Sequence, residues 1–300
     1  YGNDKLVGTN GFYAMKAHWS EHPDRNDEWA EAEKARIGDE RFRREHECEF
    51  LIYDETLISS THLIDMEPQE PIEKTGQVRW YKRPTPGMTY MVSLDPAMGT
   101  GGDYAAIQVF ELPTFEQVGE WHHNTTPMNQ QVRILQGITK HIHDTIMEKD
   151  SSASPQIFYS MENNSIGEAA LLRVMDIGEE NIPGMFLSEP IRKGHRRKFR
   201  RGFNTTAKHK IDACTKFKEL VENNKMKINS QLLISELKDF VASGMSFSAK
   251  AGQHDDLVSS CLLMTRMIKT LADFDPKIFE KWTDRTSELT PMPIYGSFTG

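Results

Sequence analysis

Three segments of this 300-residue chain place acid at the end or the start of an apolar element. Tyr90-Met91-Val92-Ser93-Leu94 is a buried-strand pattern that exits onto Asp95, and Gln156-Ile157-Phe158-Tyr159-Ser160-Met161 exits onto Glu162 in the same way. Asp255-Asp256 opens the helical run Leu257, Val258, Cys261, Leu262. Carboxylates at element ends can converge in space, and all-oxygen ligand sets suit hard divalent cations, Mg2+ or Mn2+. Two such ions can clamp the attacking and leaving oxygens of an in-line displacement at a phosphodiester. The expectation is therefore a metal-dependent endonuclease with Asp95, Glu162 and Asp256 as principal ligands. Which aspartate of the pair holds the main ion stays open; Asp256 is the assignment here, with Asp255 reaching a second ion or the water around the first. Asp103, beyond the turn Gly99-Thr100-Gly101-Gly102, is either an auxiliary group or an ordinary turn residue.

Each of these residues also has a plainer role. A lone Asp at a strand exit is commonly a turn residue. Asp256 also suits a first helical turn, where acid complements the helix dipole. The glycine-rich turn has no lysine and feeds a strand rather than a helix, so it is not a phosphate cradle. His254 is expected to be an exposed histidine beside the acids. His122-His123 and His141/His143 lack the paired cysteines or helical spacing that zinc takes.

Charge is informative only once divided. Residues 1–80 hold 10 Lys/Arg against 18 Asp/Glu and account for the whole net charge of -8. From Arg192 to Lys210 there are nine Lys/Arg and no acid. Within it, Arg192, Lys193, Arg196, Arg197, Lys198, Arg200 and Arg201 repel one another unless a polyanion is present. With Lys208 and Lys210 they are expected to contact the backbone of double-stranded DNA, which carries no sequence information. Cys48, Cys214 and Cys261 form no CxxC pair and are expected in the core. No apolar run approaches the roughly 20 residues of a membrane span.

The elements that must position the acids follow an α/β rhythm. Strands are expected at 89–94, 104–112 and 116–122 as an antiparallel meander, then a helix at 129–149. Strands at 157–161, 185–187 and 225–228 alternate with helices at 166–175, 206–223, 231–241 and 256–271. That order predicts an α/β fold of RNase H-like (integrase/resolvase) type, a mixed sheet flanked by helices. Pro68, Pro71, Pro84 and Pro86 suggest a linker over 63–87, which divides the chain into 1–62, 63–87, 88–275 and a polar tail at 276–300.

The motifs in this order resemble the nuclease of tailed-phage large terminase subunits, most closely those of contractile-tailed phages. Ser93-Leu94-Asp95-Pro96-Ala97 with Gly101-Gly102-Asp103-Tyr104 resembles the first motif of that family. Met161-Glu162-Asn163-Asn164-Ser165-Ile166-Gly167 resembles the second, and His254-Asp255-Asp256-Leu257-Val258 the third. Gly202-Phe203-Asn204-Thr205-Thr206 has the family's look as well, and Ile37-Gly38, Phe42 and Cys48-Glu49-Phe50 resemble the segment closing its ATPase domain. The resemblance implies an endonuclease that cuts concatemeric DNA at the start and end of packaging. It implies a portal protein and a small terminase subunit as partners, and work at the procapsid in the host cytoplasm. No G-x-x-x-x-G-K-[ST] occurs in the chain, so ATP hydrolysis is expected only of a full-length protein. Two alternatives remain: another RNase H-like enzyme (resolvase or transposase), or a non-catalytic module that binds DNA or the portal.

Overall fold

The computed structural model describes residues 18–38, 42, 45–47, 56–164, 166–189, 201–244 and 246–274, with the backbone of two short strands before them, Leu6–Val7 (β1) and Tyr13–Ala14 (β2), paired antiparallel. Arg192, Lys193, Arg196, Arg197, Lys198, Arg200, Cys48, Ser165 and the expected tail lie outside the described residues. Helix Asp27–Ile37 (α1) is capped by the Asn26 side chain, which accepts the Trp29 N–H at 2.9 Å.

The centre is a seven-stranded mixed sheet. Its strands are Glu73–Thr75 (β3), Val78–Trp80 (β4), Thr89–Asp95 (β5), Ala105–Leu112 (β6), Glu116–His123 (β7), Gln156–Met161 (β8) and Met185–Phe186 (β9), in the spatial order β3-β4-β7-β6-β5-β8-β9. β5, β6 and β7 form the expected antiparallel meander, while β8 runs parallel to β5 and β9 parallel to β8. β5 is buried along nearly its whole length, which explains its continuous apolar run.

Alternation along the strands decides what meets what. Tyr90, Val92 and Leu94 pack with helices Met128–Lys149 (α3) and Gly167–Ile177 (α4) on one face. Met91 and Phe158 pack on the other face with helices Ala207–Glu222 (α5), Gln231–Asp239 (α6) and Asp256–Phe274 (α7). Asp95 and Glu162 continue the register of Met91 and Phe158, so both belong to the face covered by α7.

Several elements differ from the sequence expectation. The proline-rich span contributes β3 and β4 to the sheet edge, because a few residues suffice to pair with an open edge. Leu57, Ile58 and Leu63 lie in the same buried cluster as α5, α6 and α7, and helix Ser60–Asp65 (α2) crosses the expected 62/63 boundary. Residues 225–228 form no strand; Lys227 makes one isolated bridge with Glu116. α6 stops at Asp239, and Phe240–Ser243 (β10) pairs with Ser246–Ala249 (β11) in a hairpin the sequence did not announce. Cys214 and Cys261 are buried; burial pushes the Cys214 thiol up to about 11 and Cys261 well above its usual range. Among the described residues no helix is long and apolar enough to cross a membrane.

Candidate active site

Two adjacent parallel strands deliver the first two carboxylates. Leu94 is in register with Met161, and the Glu162 N–H donates to the Leu94 carbonyl at 3.2 Å, so Asp95 and Glu162 leave the sheet side by side. Their side chains come within hydrogen-bonding reach of each other. Burial, then the neighbouring Glu162 charge, and then Asp256 and Asp255 hold the Asp95 carboxyl well above the usual carboxylate range. Glu162 is oriented further by Asn164, whose Nδ2 donates to its Oε2 at 3.1 Å while its Oδ1 accepts the Gly167 N–H at 2.7 Å. Gly167 has to be glycine, since a Cβ there would stand 1.8 Å from the Glu162 carbonyl oxygen.

The third station comes from the start of α7. A reciprocal pair of buried serines registers this helix against β5. Ser93 Oγ donates to the Ser260 carbonyl at 2.8 Å, and Ser260 Oγ donates to the Ser93 carbonyl at 3.0 Å. Ser93 lies two residues before Asp95, and Ser260 one helical turn after Asp256. Burial pushes Asp256 up to about 6, opposed by the Tyr104 N–H and reinforced by Asp255. Its Oδ2 is buried without a hydrogen-bond partner, 3.6 Å from His254 Nδ1. Asp255 stands 3.8 Å from Lys210 Nζ and accepts the Ala249 N–H at 3.4 Å. Asp103 is exposed on its turn but close enough for its charge to be felt by Asp256. Gly99 packs that turn tightly at φ +72°, where a Cβ would meet the Thr126 carbonyl oxygen at 2.3 Å.

Asp95 and Glu162 line a cleft of ≈ 190 Å³ with Thr205, Lys210, Ser259 and Arg266. Arg266 is spoken for: it donates to Thr205 Oγ1 and the Asn204 carbonyl at 3.0 Å each, and it also pairs with Glu189. Of the cations expected to meet DNA, Lys210 is half-buried in this cleft, Lys208 is exposed, and Arg201 is exposed and paired with Glu179. Among the described residues no three His, Cys, Asp or Glu groups form a ready-made ion cage. Mg2+ asks for less, commonly one or two carboxylates with waters and substrate oxygens. The paired Asp95 and Glu162 and the orphaned Asp256 oxygen fit such an ion.

Sequence reasoning assigned no role to Asn164, Ser93, Ser260 or Arg266. Asn164 stood inside a recognised motif; the others act through partners distant in sequence.

A mixed sheet in this strand order, with acids at the exits of its central parallel pair, is an RNase H-like fold. The sequence description of the terminase RNase H-like domain family matches residues 92–267. Solved structures of similar fold include the large terminase nuclease of thermophilic phage G20c (TM-score 0.51, 16% identity, covering 71% of this chain and 98% of that one). The same nuclease with magnesium bound superposes at a TM-score of 0.52, again at 16% identity, covering 71% and 97%. The chain belongs to the terminase RNase H-like domain family. It is the nuclease region of a terminase large subunit, an endonuclease of phage DNA packaging.

Proposed function

We propose that this nuclease cuts double-stranded DNA with divalent cations, Mg2+ or Mn2+, held by Asp95, Glu162 and Asp256, with Asp255 serving a second ion and Asp103 an auxiliary group. The observation that carries the reading is the side-by-side exit of Asp95 and Glu162 toward the face that the first turn of α7 covers. The G20c nuclease of the same fold has been crystallised with magnesium and with cobalt bound, which supports the use of a divalent ion. Such ions would supply positive charge to the attacking and leaving oxygens of the phosphodiester. The chain's own residues do the rest. Asn164 fixes the Glu162 carboxylate, the Ser93–Ser260 pair fixes α7 against β5, and the Tyr104 N–H bears on Asp256. Lys210, which lines the cleft, would meet a phosphate there. Arg192, Lys193, Arg196, Arg197, Lys198, Arg200 and Arg201, with Lys208, would grip the DNA backbone, which suits cutting with little sequence preference.

In this reading the partners are the portal and the small terminase subunit, and the work is done at the procapsid in the host cytoplasm. A P-loop ATPase cradles its phosphates in a G-x-x-x-x-G-K-[ST] loop, and this sequence holds none, so in this reading ATP is hydrolysed only by a full-length protein. The test is plasmid nicking. Cleavage with Mg2+ or Mn2+, its loss in EDTA and in Asp95→Ala, and no ATPase activity are expected. Robust cleavage in EDTA, or full activity in Asp95→Ala, would overturn the reading.

A further inference from the structure

The first turn of α7 is capped by another helix. With α7 starting at Asp256, Asp255 occupies the N-cap position, and its carbonyl accepts the Ser259 N–H at 2.7 Å. An N-cap aspartate ordinarily turns its carboxylate back onto the second or third N–H of its helix. Asp255 does not: its Oδ2 faces the Ala249 N–H and Lys210. The orphan N–H groups are taken instead by Glu236 of α6, whose Oε2 accepts from Val258 at 3.1 Å and which the Leu257 N–H also faces. Glu236 is buried, with its other oxygen 3.7 Å from His122 Nε2. The His122 ring stacks on Tyr104 at 4.1 Å, and Tyr104 is the residue whose N–H bears on Asp256.

We infer that Glu236 is a positioning residue for the nuclease centre. By capping α7 from α6, it relieves Asp255 and Asp256 of capping and leaves their carboxylates for the metal. The orphaned Asp256 Oδ2 is what a carboxylate released in this way looks like. The inference rests on the metal reading of Asp256, and its test separates the two.

Glu236→Ala removes the acceptor, whereas Glu236→Gln keeps a carbonyl oxygen at the same reach. In Glu236→Ala the Leu257 and Val258 amides should exchange hydrogen about tenfold faster by NMR. Mn2+ binding, titrated without DNA, should weaken about ten- to a hundredfold, with kcat falling in step. KM for DNA should stay level, and Glu236→Gln should restore all of these close to wild type. Should the alanine variant fail to fold, Glu236→Asp, one methylene too short to reach Val258, carries the same comparison. Unchanged exchange at 257–258 in a folded alanine or aspartate variant would overturn the inference. So would a glutamine variant as impaired as alanine. If the wild type takes up no Mn2+, the metal reading fails, and the exchange measurement still decides the role of Glu236.

Discussion

At the residue scale the proposed metal centre carries a cost in stability. Asp95 is held near Glu162 and away from water, an arrangement that like-charged carboxylates resist. Asp95→Asn should therefore abolish cleavage yet raise the melting temperature in EDTA, by about 2–4 °C for each kcal/mol of repulsion relieved. A lowered melting temperature would show that the carboxylate supports the fold. Asp95, Glu162 and the Asp255-Asp256 pair are legible in the sequence because an apolar run ending or starting on acid is a local signal. Glu236 is not. It sits in an amphipathic helical pattern where an acid reads as solvent-facing, and only the tertiary fold reveals that it is buried against α7. Arg266 is silent for the same reason, its partners Asn204 and Thr205 lying some sixty residues away.

At the element scale, α7 is where sheet and site are joined. Ser93→Ala removes the donor to the buried Ser260 carbonyl, Ser260→Ala removes the donor to the Ser93 carbonyl, and either one also removes the 2.9 Å contact between the two hydroxyls. Each should cost about 1–3 kcal/mol in urea unfolding, and the double variant less than the sum. Additive losses would mean that the two hydroxyls do not act as a pair. Glu236 adds a pH dependence. Burial pushes its carboxyl up to about 8, above the ordinary value near 4.5 that applies once the chain unfolds. The folded state thus binds the proton more tightly. The corresponding stability is fully present below about pH 4.5 and is lost as pH rises through 8. In EDTA, unfolding free energy should fall over that window, and less steeply in Glu236→Gln; parallel curves would contradict the assignment. The meander and α3 are legible because their periods are clean over long runs. The hairpin β10–β11 is not, since Phe240 and Val241 extend the helical pattern of α6 and the strands are only four residues each. β3 and β4 are hidden likewise, being too short to carry a period.

At the scale of the whole molecule, the proposed function assigns affinity and chemistry to different parts. Neutralising Arg196, Arg197, Arg200 and Arg201 together should weaken duplex binding for all sequences and flatten the salt dependence by about 0.9 in log–log slope for each phosphate left without a cation. Asp256→Asn should leave that slope unchanged; equal slopes for wild type and the arginine variant would remove the basic run from the DNA path. A divalent ion held where β5, β8 and α7 meet is seen most directly by anomalous diffraction from crystals soaked in Mn2+. A peak is expected at coordination distance, about 2.1 Å, from Asp95 and Glu162 oxygens, with Asp256 facing it. A peak elsewhere on the molecule, or none here at saturating Mn2+, would contradict it.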